Sequence, residues 1–141
     1  MKIWARLKTI YKKRLQSFRK RFYGLQFPIY CKVHGSKTPD RQGAIAQCAT
    51  GDRLQIVHVP HKKYPFNMFV YNVELNRILG YVRHSFAKKL VKTFGAGTCL
   101  DALIENVTGG TPFQYYGCNI RVFDTQSMMK ETEDFSHLHE A

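Results

Sequence analysis

Residues 51–82, GDRLQIVHVPHKKYPFNMFVYNVELNRILGYV, contain three strand-like runs in succession. The first, at 53–59, alternates apolar and polar side chains with the period of two that is typical of a strand with one buried face. The other two, at 67–72 and 78–82, are rich in aromatic and branched residues, and the polar residues 74–76 between them predict a hairpin turn. This part of the chain therefore predicts a β-sheet rather than a bundle of helices.

Further strand-like runs lie on both sides of this stretch, at 29–33, 98–107 and 116–123. Two short helices are predicted between the strands, at 39–49 and 85–94. Short strands separated by glycine and proline turns at this spacing are typical of a small barrel. We therefore expect a mainly β fold, a small six-stranded OB-like barrel with two short helices, preceded by an N-terminal basic amphipathic helix.

The boundaries of the two short helices carry local signals. Thr38 followed by Pro39 is typical of an N-cap and a first helical position. Ser85 is expected to cap the second helix, and Gly95 is expected to end it. Both helices should therefore be brief insertions between strands.

The N-terminal segment differs from the rest of the chain in its charge. Nine Lys or Arg fall within residues 2–21, and the first acidic residue is Asp40. Apolar side chains recur there at intervals of three and four, at Ile3, Leu7, Ile10, Tyr11, Leu15, Phe18 and Phe22. This pattern predicts a basic amphipathic helix that ends at Gly24.

The composition divides the chain into three parts. We expect the basic helix at 1–24, a barrel domain at 25–124 and an acidic tail at 125–141. From Asp124 onward the chain has five acidic residues and one Lys, without a periodic apolar face.

The overall charge favours a polyanionic partner. The 141 residues include 22 Lys or Arg and 10 Asp or Glu, which gives a net charge of +12. Such a balance is typical of proteins that bind nucleic acid or an anionic membrane surface, and it disfavours small cationic substrates. Charged residues interrupt every apolar run before the ~18 residues that a membrane span needs, and the four cysteines are widely spaced. We therefore expect a cytoplasmic protein with reduced thiols.

The sequence lacks the common motifs of catalysis. It has no G-x-S-x-G, no H-E-x-x-H and no G-x-x-x-x-G-K, so we expect no enzymatic activity and no cofactor. Cys31 and His34 form a C-x-x-H half-site, for which His137 and His139 could supply the other half of a zinc site. A lone half-site on a strand is more often a packing feature than a metal site, so we expect no bound metal.

Five short motifs follow one another along the chain: R-Q-x-A-I at 41–45, G-D-x-L-x-I-V at 51–57, Y-x-x-N at 64–67, L-G-Y-V at 79–82 and V-T-G-G at 107–110. In this order and at these separations, residues 29–123 resemble the HIRAN domain. The resemblance implies a six-stranded OB-like barrel that binds nucleic acid, with single-stranded DNA and a free 3′-hydroxyl end preferred. HIRAN domains also occur fused to helicase or nuclease modules, which implies a protein partner that carries enzymatic activity.

The resemblance also implies which residues bind the strand. The family's loop aromatic and loop Asn correspond to Tyr64 and Asn67, and its early basic position corresponds to Lys37. Its second aromatic corresponds to Tyr115, with the neighbouring Tyr116 as the alternative. With the nearby cations, the candidate nucleic-acid-binding residues are Lys37, Arg41, Lys62, Lys63, Tyr64, Asn67, Tyr115 and Tyr116. Aromatic rings stack on bases and cations neutralise phosphates without reading sequence.

One departure from the family pattern bears on end recognition. The family's N-P-Y-D is Lys62, Lys63, Tyr64 and Pro65 in this chain. The acidic residue that would accept a hydrogen bond from a terminal hydroxyl is therefore missing, and two positive charges are added. We expect stronger nonspecific contact with phosphates and weaker selectivity for a 3′ end.

Two questions stay open at this level. The N-terminal helix can extend a nucleic-acid groove, lie on an anionic membrane through residues 2–22, or pack its apolar stripe on the barrel, and we favour a packed helix with its charge facing nucleic acid. Likewise, Tyr64 can be a stacking platform or a packing residue at a rim. A membrane-surface or protein-interaction adaptor is the alternative to a nucleic-acid-binding module. The exposure of Tyr64, Tyr115 and Lys37 in one groove separates these two functions.

Overall fold

The computed structural model of the chain describes residues 2–125 and 127–132. Its elements are, in chain order, α1 (Lys2–Phe22), β1 (Ile29–Lys32), α2 (Pro39–Ala46), β2 (Arg53–His58), β3 (Met68–Asn72), β4 (Arg77–Tyr81), α3 (His84–Phe94), β5 (Cys99–Thr108) and β6 (Gly117–Val122). A further helical segment at 127–132 follows β6.

The six strands form one curled, antiparallel sheet with the order β1-β6-β5-β2-β3-β4. The two outer strands of this half-barrel meet just past the end of β1. There the backbone N–H groups of His34 and Tyr81 each donate to the other residue's carbonyl oxygen at 2.9 Å. The predicted mainly β, OB-like architecture is therefore confirmed.

Glycine allows the two backbones to come this close. A Cβ atom on Gly80 would lie 2.2 Å from the carbonyl oxygen of His34. Gly35 has a φ of +64°, and a Cβ there would lie 2.1 Å from the ring of Tyr81. Both positions therefore exclude a side chain, which accounts for the glycine in the L-G-Y-V motif.

The core lies inside the curl and is closed by the short helices. Along β2, Leu54, Ile56 and His58 are buried while the residues between them are more exposed, as the alternation predicts. The buried side chains of α2 (Ala44 and Ile45) and of α3 (Ala87, Leu90 and Val91) belong to the same core cluster. One apolar core thus spans the sheet and both helices.

The helix starts agree with the sequence in one case and differ in the other. Thr38 caps α2 by accepting a hydrogen bond from the N–H of Arg41 at 3.4 Å. The prediction that Ser85 caps α3 is wrong, because Arg83 holds the N-cap position without a side-chain bond. The N–H of Val82 donates to the carbonyl of Met68 one residue past the end of β4, and the chain turns into the helix directly after this bond.

The C-terminal part of α1 is docked on the barrel. The Arg19 guanidinium donates to the carbonyl of Lys92 at 3.0 Å, and the Lys20 ammonium lies 2.5 Å from the Asp124 carboxylate. The Lys20 ammonium also lies 5.8 Å and 5.7 Å from the ring centres of Phe27 and Phe94. Lys20 is thus the main link between α1 and the barrel.

The expectation that the apolar stripe of α1 packs on the barrel is wrong. Every residue from 3 to 14 is exposed, and Phe18 and Phe22 are exposed as well. The half-buried side of the helix carries Leu15, Gln16, Arg19 and Lys20 instead. Docking uses this largely polar side because it meets two acceptors there, the Asp124 carboxylate and the backbone carbonyl of Lys92.

The first part of the expected acidic tail is folded. The N–H of Ser127 donates to the Asp124 carboxylate, and the N–H of Asp124 donates to the Ser127 hydroxyl, so the two residues cap each other at the start of segment 127–132. Glu131 then lies 3.4 Å from the Arg121 guanidinium of β6. The rest of the tail, with His137 and His139, lies outside the described residues.

The four cysteines are free thiols. Burial raises the pKa of Cys31 to about 11, and burial together with nearby cysteines and Asp52 raises that of Cys118 to about 12. Both thiols therefore stay protonated and poorly nucleophilic at neutral pH. Within residues 2–125 and 127–132, no three His, Cys, Asp or Glu residues are grouped as a metal site.

Across the same part of the chain, none of the helices is both long enough and apolar enough to pass through a lipid bilayer.

Replacing Gly80 by Ala should lower the free energy of unfolding by about 2 to 3 kcal/mol, because the new methyl group collides with the His34 backbone. Gly43→Ala is the matched control. It adds the same methyl in the exposed face of α2 with nothing within 4 Å, and should raise stability by about 0.5 to 1 kcal/mol. Urea unfolding measures both values, and similar values for the two variants would contradict the closure described here.

Asp124→Asn should lower the free energy of unfolding by about 2 kcal/mol at neutral pH, because Lys20 loses its charged partner. Burial tends to raise the pKa of the Asp124 carboxyl, but hydrogen bonds from Lys20 and Ser127 outweigh burial, and the pKa is lowered from 3.8. The stabilisation is therefore complete above pH 3.8 and is lost as the pH falls through the lower pKa of the folded state.

Unfolding in urea at several pH values measures the difference in the free energy of unfolding between the unmodified protein and Asp124→Asn. Asp40→Asn is the control, since its carboxylate is 97% exposed and reaches only Arg77 at 3.8 Å. It should change stability by less than about 0.5 kcal/mol. A difference for Asp124→Asn that grows in acid would show that the carboxylate is destabilising.

Candidate nucleic-acid interface

Two concave sites border segment 34–37, which follows β1: the segment lines one of them, and Tyr81 and Arg41 of the other bond to it at His34 and Gly35. We call the first the Tyr64 groove; it has a volume of about 320 Å³ and is lined by Arg41, Val59, Pro60, His61, Tyr64, Asn67, Phe69, Tyr81 and His84. We call the second the Lys37 pocket; it has a volume of about 520 Å³ and is lined by residues 32–38, Thr108 and residues 113–117. The closing segment of the barrel is therefore the ridge between the two sites.

One side of the Tyr64 groove is a column of stacked rings. Its centre is His84, whose ring lies 4.3 Å from Tyr64 at an angle of 3° and 4.8 Å from Tyr81 at 14°. His61 and His34 extend the column at its two ends, at 6.2 Å from Tyr64 and 6.4 Å from Tyr81. Offset stacking of this kind holds aromatic rings in fixed orientation. The groove is thus built from preordered ring faces and edges.

The tight passage from β4 into α3 creates this column. Tyr81 ends β4 and His84 begins α3, so both rings project toward the loop that carries Tyr64. The Nδ1 atom of His84 is buried without a hydrogen-bond partner in the described structure. Stacking, rather than hydrogen bonding at this atom, therefore positions the His84 ring.

Buried polar residues hold the loop that carries Tyr64. Asn67 is buried; its backbone N–H donates to the Tyr64 carbonyl at 3.0 Å and its side-chain amide donates to the Val59 carbonyl at 3.2 Å. The N–H of Gly97 donates to Nδ1 of His58, so the ring carries its hydrogen on Nε2 and donates it to the Pro65 carbonyl at 2.8 Å. Asn67 therefore lines the groove mainly as the residue that fixes its loop.

The predicted loop residues are brought together at the rim. Tyr64 is 42% exposed, with one face on His84. The ammonium group of Lys63 lies 5.6 Å from the centre of the Tyr64 ring, and Lys62 beside it is exposed. Tyr64 therefore packs through one ring face on His84 and leaves the rest of its ring exposed to solvent, where a base could stack.

Arg41 and Gln42 of the R-Q motif contact residues of both sites. The Arg41 guanidinium donates to the carbonyl of Gly35 at 2.7 Å, and its carbon lies 5.9 Å from the ring centre of Phe69. The Gln42 amide nitrogen donates to the carbonyls of Ser36 and Tyr116 at 2.8 and 2.9 Å, and its oxygen accepts the N–H of Tyr116 at 2.8 Å. Helix α2 therefore fixes the ridge and one wall of the Lys37 pocket at once.

The Lys37 pocket places a second tyrosine beside a cation. Tyr115 is 60% exposed, and the Lys37 ammonium lies 5.7 Å from its ring centre. Tyr116 is half-buried, and a Cβ on Gly110, whose φ is +82°, would lie 2.3 Å from its ring. Between the two candidates, Tyr115 is therefore the exposed ring, and Tyr116 packs on Gly110 of the V-T-G-G motif.

Two residues of the interface were missed by sequence reasoning. Phe113 lines the Lys37 pocket and is 99% exposed at the tip of a turn closed by the Thr111–Gln114 bridge. The Thr-Pro pair at 111–112 after two glycines is a turn signal that could have revealed it. The predicted helix at 85–94 leaves His84 outside it, and no local pattern marks this residue as the centre of a ring stack.

The Lys and Arg side chains that line the two sites have no acidic counterparts among the described lining residues. Lys32, Lys37 and Arg41 are among the described residues that line the two sites, and no Asp or Glu is. Lys62 and Lys63 add two cations at the rim. Cations next to ring faces without competing carboxylates suit a ligand made of phosphates and flat bases.

Comparisons of the chain with protein-family models, curated proteins and solved structures give no match. The function is therefore inferred from the geometry and the chemistry of the two sites.

Proposed function

We propose that this protein is a noncatalytic module that binds single-stranded nucleic acid, with single-stranded DNA as the favoured ligand. The observation that carries the proposal is the pairing of an exposed tyrosine with a lysine on each side of one ridge, Tyr64 with Lys63 and Tyr115 with Lys37. A strand crossing the ridge would meet two stacking surfaces, each with a lysine beside it that can contact phosphate.

The exposed tyrosine rings favour a single strand over a duplex as the ligand. The bases of a duplex are stacked on one another, whereas an unpaired strand offers base faces to protein rings. Stacking depends little on base identity, and lysine contacts with phosphate carry no sequence information. We therefore infer broad sequence tolerance. The preference for DNA rests on the resemblance of residues 29–123 to the HIRAN domain.

The same geometry supports weak selectivity for a 3′ end. A terminal hydroxyl is recognised best by a charged acceptor, and the described lining of the Tyr64 groove includes no carboxylate. Pro65 occupies the position of the family's acidic residue, and its carbonyl already accepts a hydrogen bond from His58. The strand is therefore held along its length rather than by its end.

A noncatalytic binding module of this kind serves an enzymatic activity that another protein supplies. The polar side chains of α2 hold the backbone of the ridge, since Arg41 and Gln42 donate to the carbonyl groups of Gly35 and Ser36. We therefore assign the protein a reading role, with any chemistry on the strand supplied by a protein partner that carries enzymatic activity.

Tyr64→Ala and Tyr115→Ala should each weaken binding of an oligothymidylate by about 1 to 3 kcal/mol, because each removes a stacking surface. Fluorescence anisotropy with an end-labelled oligonucleotide measures this change, and thermal unfolding checks that the variants are folded. Tyr30→Ala is the matched control, since Tyr30 is 63% exposed on β1 outside both sites. Equal losses for all three variants would contradict the proposed interface.

Binding should depend strongly on salt. If roughly five cations contact the strand, the logarithm of affinity should fall against the logarithm of salt concentration with a slope of about −3.5. The double variant Lys62→Gln/Lys63→Gln should bring the slope to about −2, while Lys89→Gln on α3 should leave it unchanged. A flat salt response of the unmodified protein would remove the electrostatic basis of the proposal.

Blocking the 3′-hydroxyl of the oligonucleotide should leave its affinity unchanged, because the groove offers no carboxylate to accept its hydrogen bond. Competition between strands of one sequence that end in a 3′-hydroxyl or in a dideoxynucleotide measures this without adding charge. A strong preference for the free end would contradict the inference of weak end selectivity while leaving single-strand binding intact. Pro65→Asp tests the same point from the other side. It supplies the missing carboxylate and should create a preference for the free 3′ end that the unmodified protein lacks.

A further inference from the structure

The N-terminal helix leaves most of its apolar stripe uncovered, and only Leu15 of the stripe is half-buried. Ile3, Trp4 and Tyr11 have exposed fractions of 73%, 70% and 69%, and Leu7 and Ile10 beside them are about half exposed. Their spacing of three and four places them on one side of α1. An isolated surface leucine is ordinary, but a continuous stripe of this length needs a partner.

The orientation of α1 shows that the barrel is not that partner. The side that docks carries Arg19 and Lys20, which bind the Lys92 carbonyl and Asp124. Phe18 and Phe22, which continue the stripe, are 59% and 72% exposed. The helix is thus held by its polar side, and the hydrogen bonds and the ion pair fix the stripe facing outward.

The charge of the helix identifies the chemistry of the missing partner. Residues 2–22 include nine Lys or Arg and no acidic residue. We propose that α1 binds the surface of an anionic lipid bilayer, with its stripe immersed among the acyl chains and its lysines and arginines at the lipid phosphates. This site is separate from the nucleic-acid interface and does not depend on it.

Other occupants satisfy only part of this surface. Nucleic acid would neutralise the cations but leave the isoleucine, leucine and tryptophan side chains in water. A second copy of α1 would bury the stripe but bring together two helices with nine cations each and no acid, which repel one another. An anionic bilayer offers both an apolar layer and negative charge at the right depth.

The two surfaces can be occupied at the same time. Helix α1 contacts the C-terminal end of α3 at Lys92 and Phe94, whereas the Tyr64 groove uses His84 at its N-terminal end. The 11 residues of α3 separate these ends by about 15 Å. A protein bound to a membrane by α1 would therefore keep its groove open to a strand.

Trp4 is the single tryptophan of the chain and reports directly on the stripe. The full-length protein is mixed with vesicles of phosphatidylcholine alone or with added phosphatidylserine. We expect sedimentation with the anionic vesicles, a blue shift of Trp4 emission on binding, and weak binding to neutral vesicles. Ile3→Ser/Leu7→Ser/Ile10→Ser should reduce partitioning at least about tenfold. The control Val73→Ser, which removes an exposed apolar residue elsewhere, should leave it unchanged.

Several results would overturn the inference. One is absence of binding to anionic vesicles. Another is a Trp4 blue shift that grows with protein concentration without lipid, which would indicate a second copy as the partner. A third is a blue shift that requires an oligonucleotide. The Tyr64→Ala/Tyr115→Ala variant should bind vesicles as the unmodified protein does, so failure of the nucleic-acid proposal is distinguishable from failure of this one.

Discussion

The close approach of the His34 backbone to Gly80 and Tyr81 is the constraint on which the rest of the structure depends. Two hydrogen bonds join the outer strands there, and a side chain at position 35 or 80 would block them. The contact curls the sheet around its core and carries segment 34–37 across the opening. It thereby makes the ridge between the Tyr64 groove and the Lys37 pocket, and it brings Tyr81 under His84.

The residues of the two sites fall into two groups: one group fixes the backbone, and the other leaves ring surface exposed for a ligand. The polar side-chain atoms of Gln42, Asn67 and His58 form hydrogen bonds with backbone groups. These residues therefore fix the ridge and the loop that carries Tyr64. Tyr64 and Tyr115 keep exposed ring surface next to lysines. Preordered rings lose little conformational freedom on binding, which favours affinity from few contacts. This division explains why motif residues such as Gln42 contribute to the proposed function without needing to touch the ligand.

The sequence predicts strands well where burial alternates with period two. The run at 53–59 is β2 at Arg53–His58, and the run at 98–107 is β5 at Cys99–Thr108. It predicts poorly what depends on contacts distant in the chain. The amphipathic pattern of α1 does not reveal that Lys20 and Asp124 dock its polar side, and the stack around His84 joins a loop, a strand and a helix. The choice between Tyr115 and Tyr116 likewise required the packing of Tyr116 on Gly110.

The most direct test of the account is a map of the strand on the folded protein. Backbone amide resonances of the full-length, isotope-labelled chain are followed by NMR during titration with an oligothymidylate. We expect the largest shifts on segment 34–37, the loop at 61–64 and the turn at 111–116, on both sides of the ridge. Shifts confined to α1, or to the β1 face around Tyr30, with these three segments unchanged, would contradict the proposed interface.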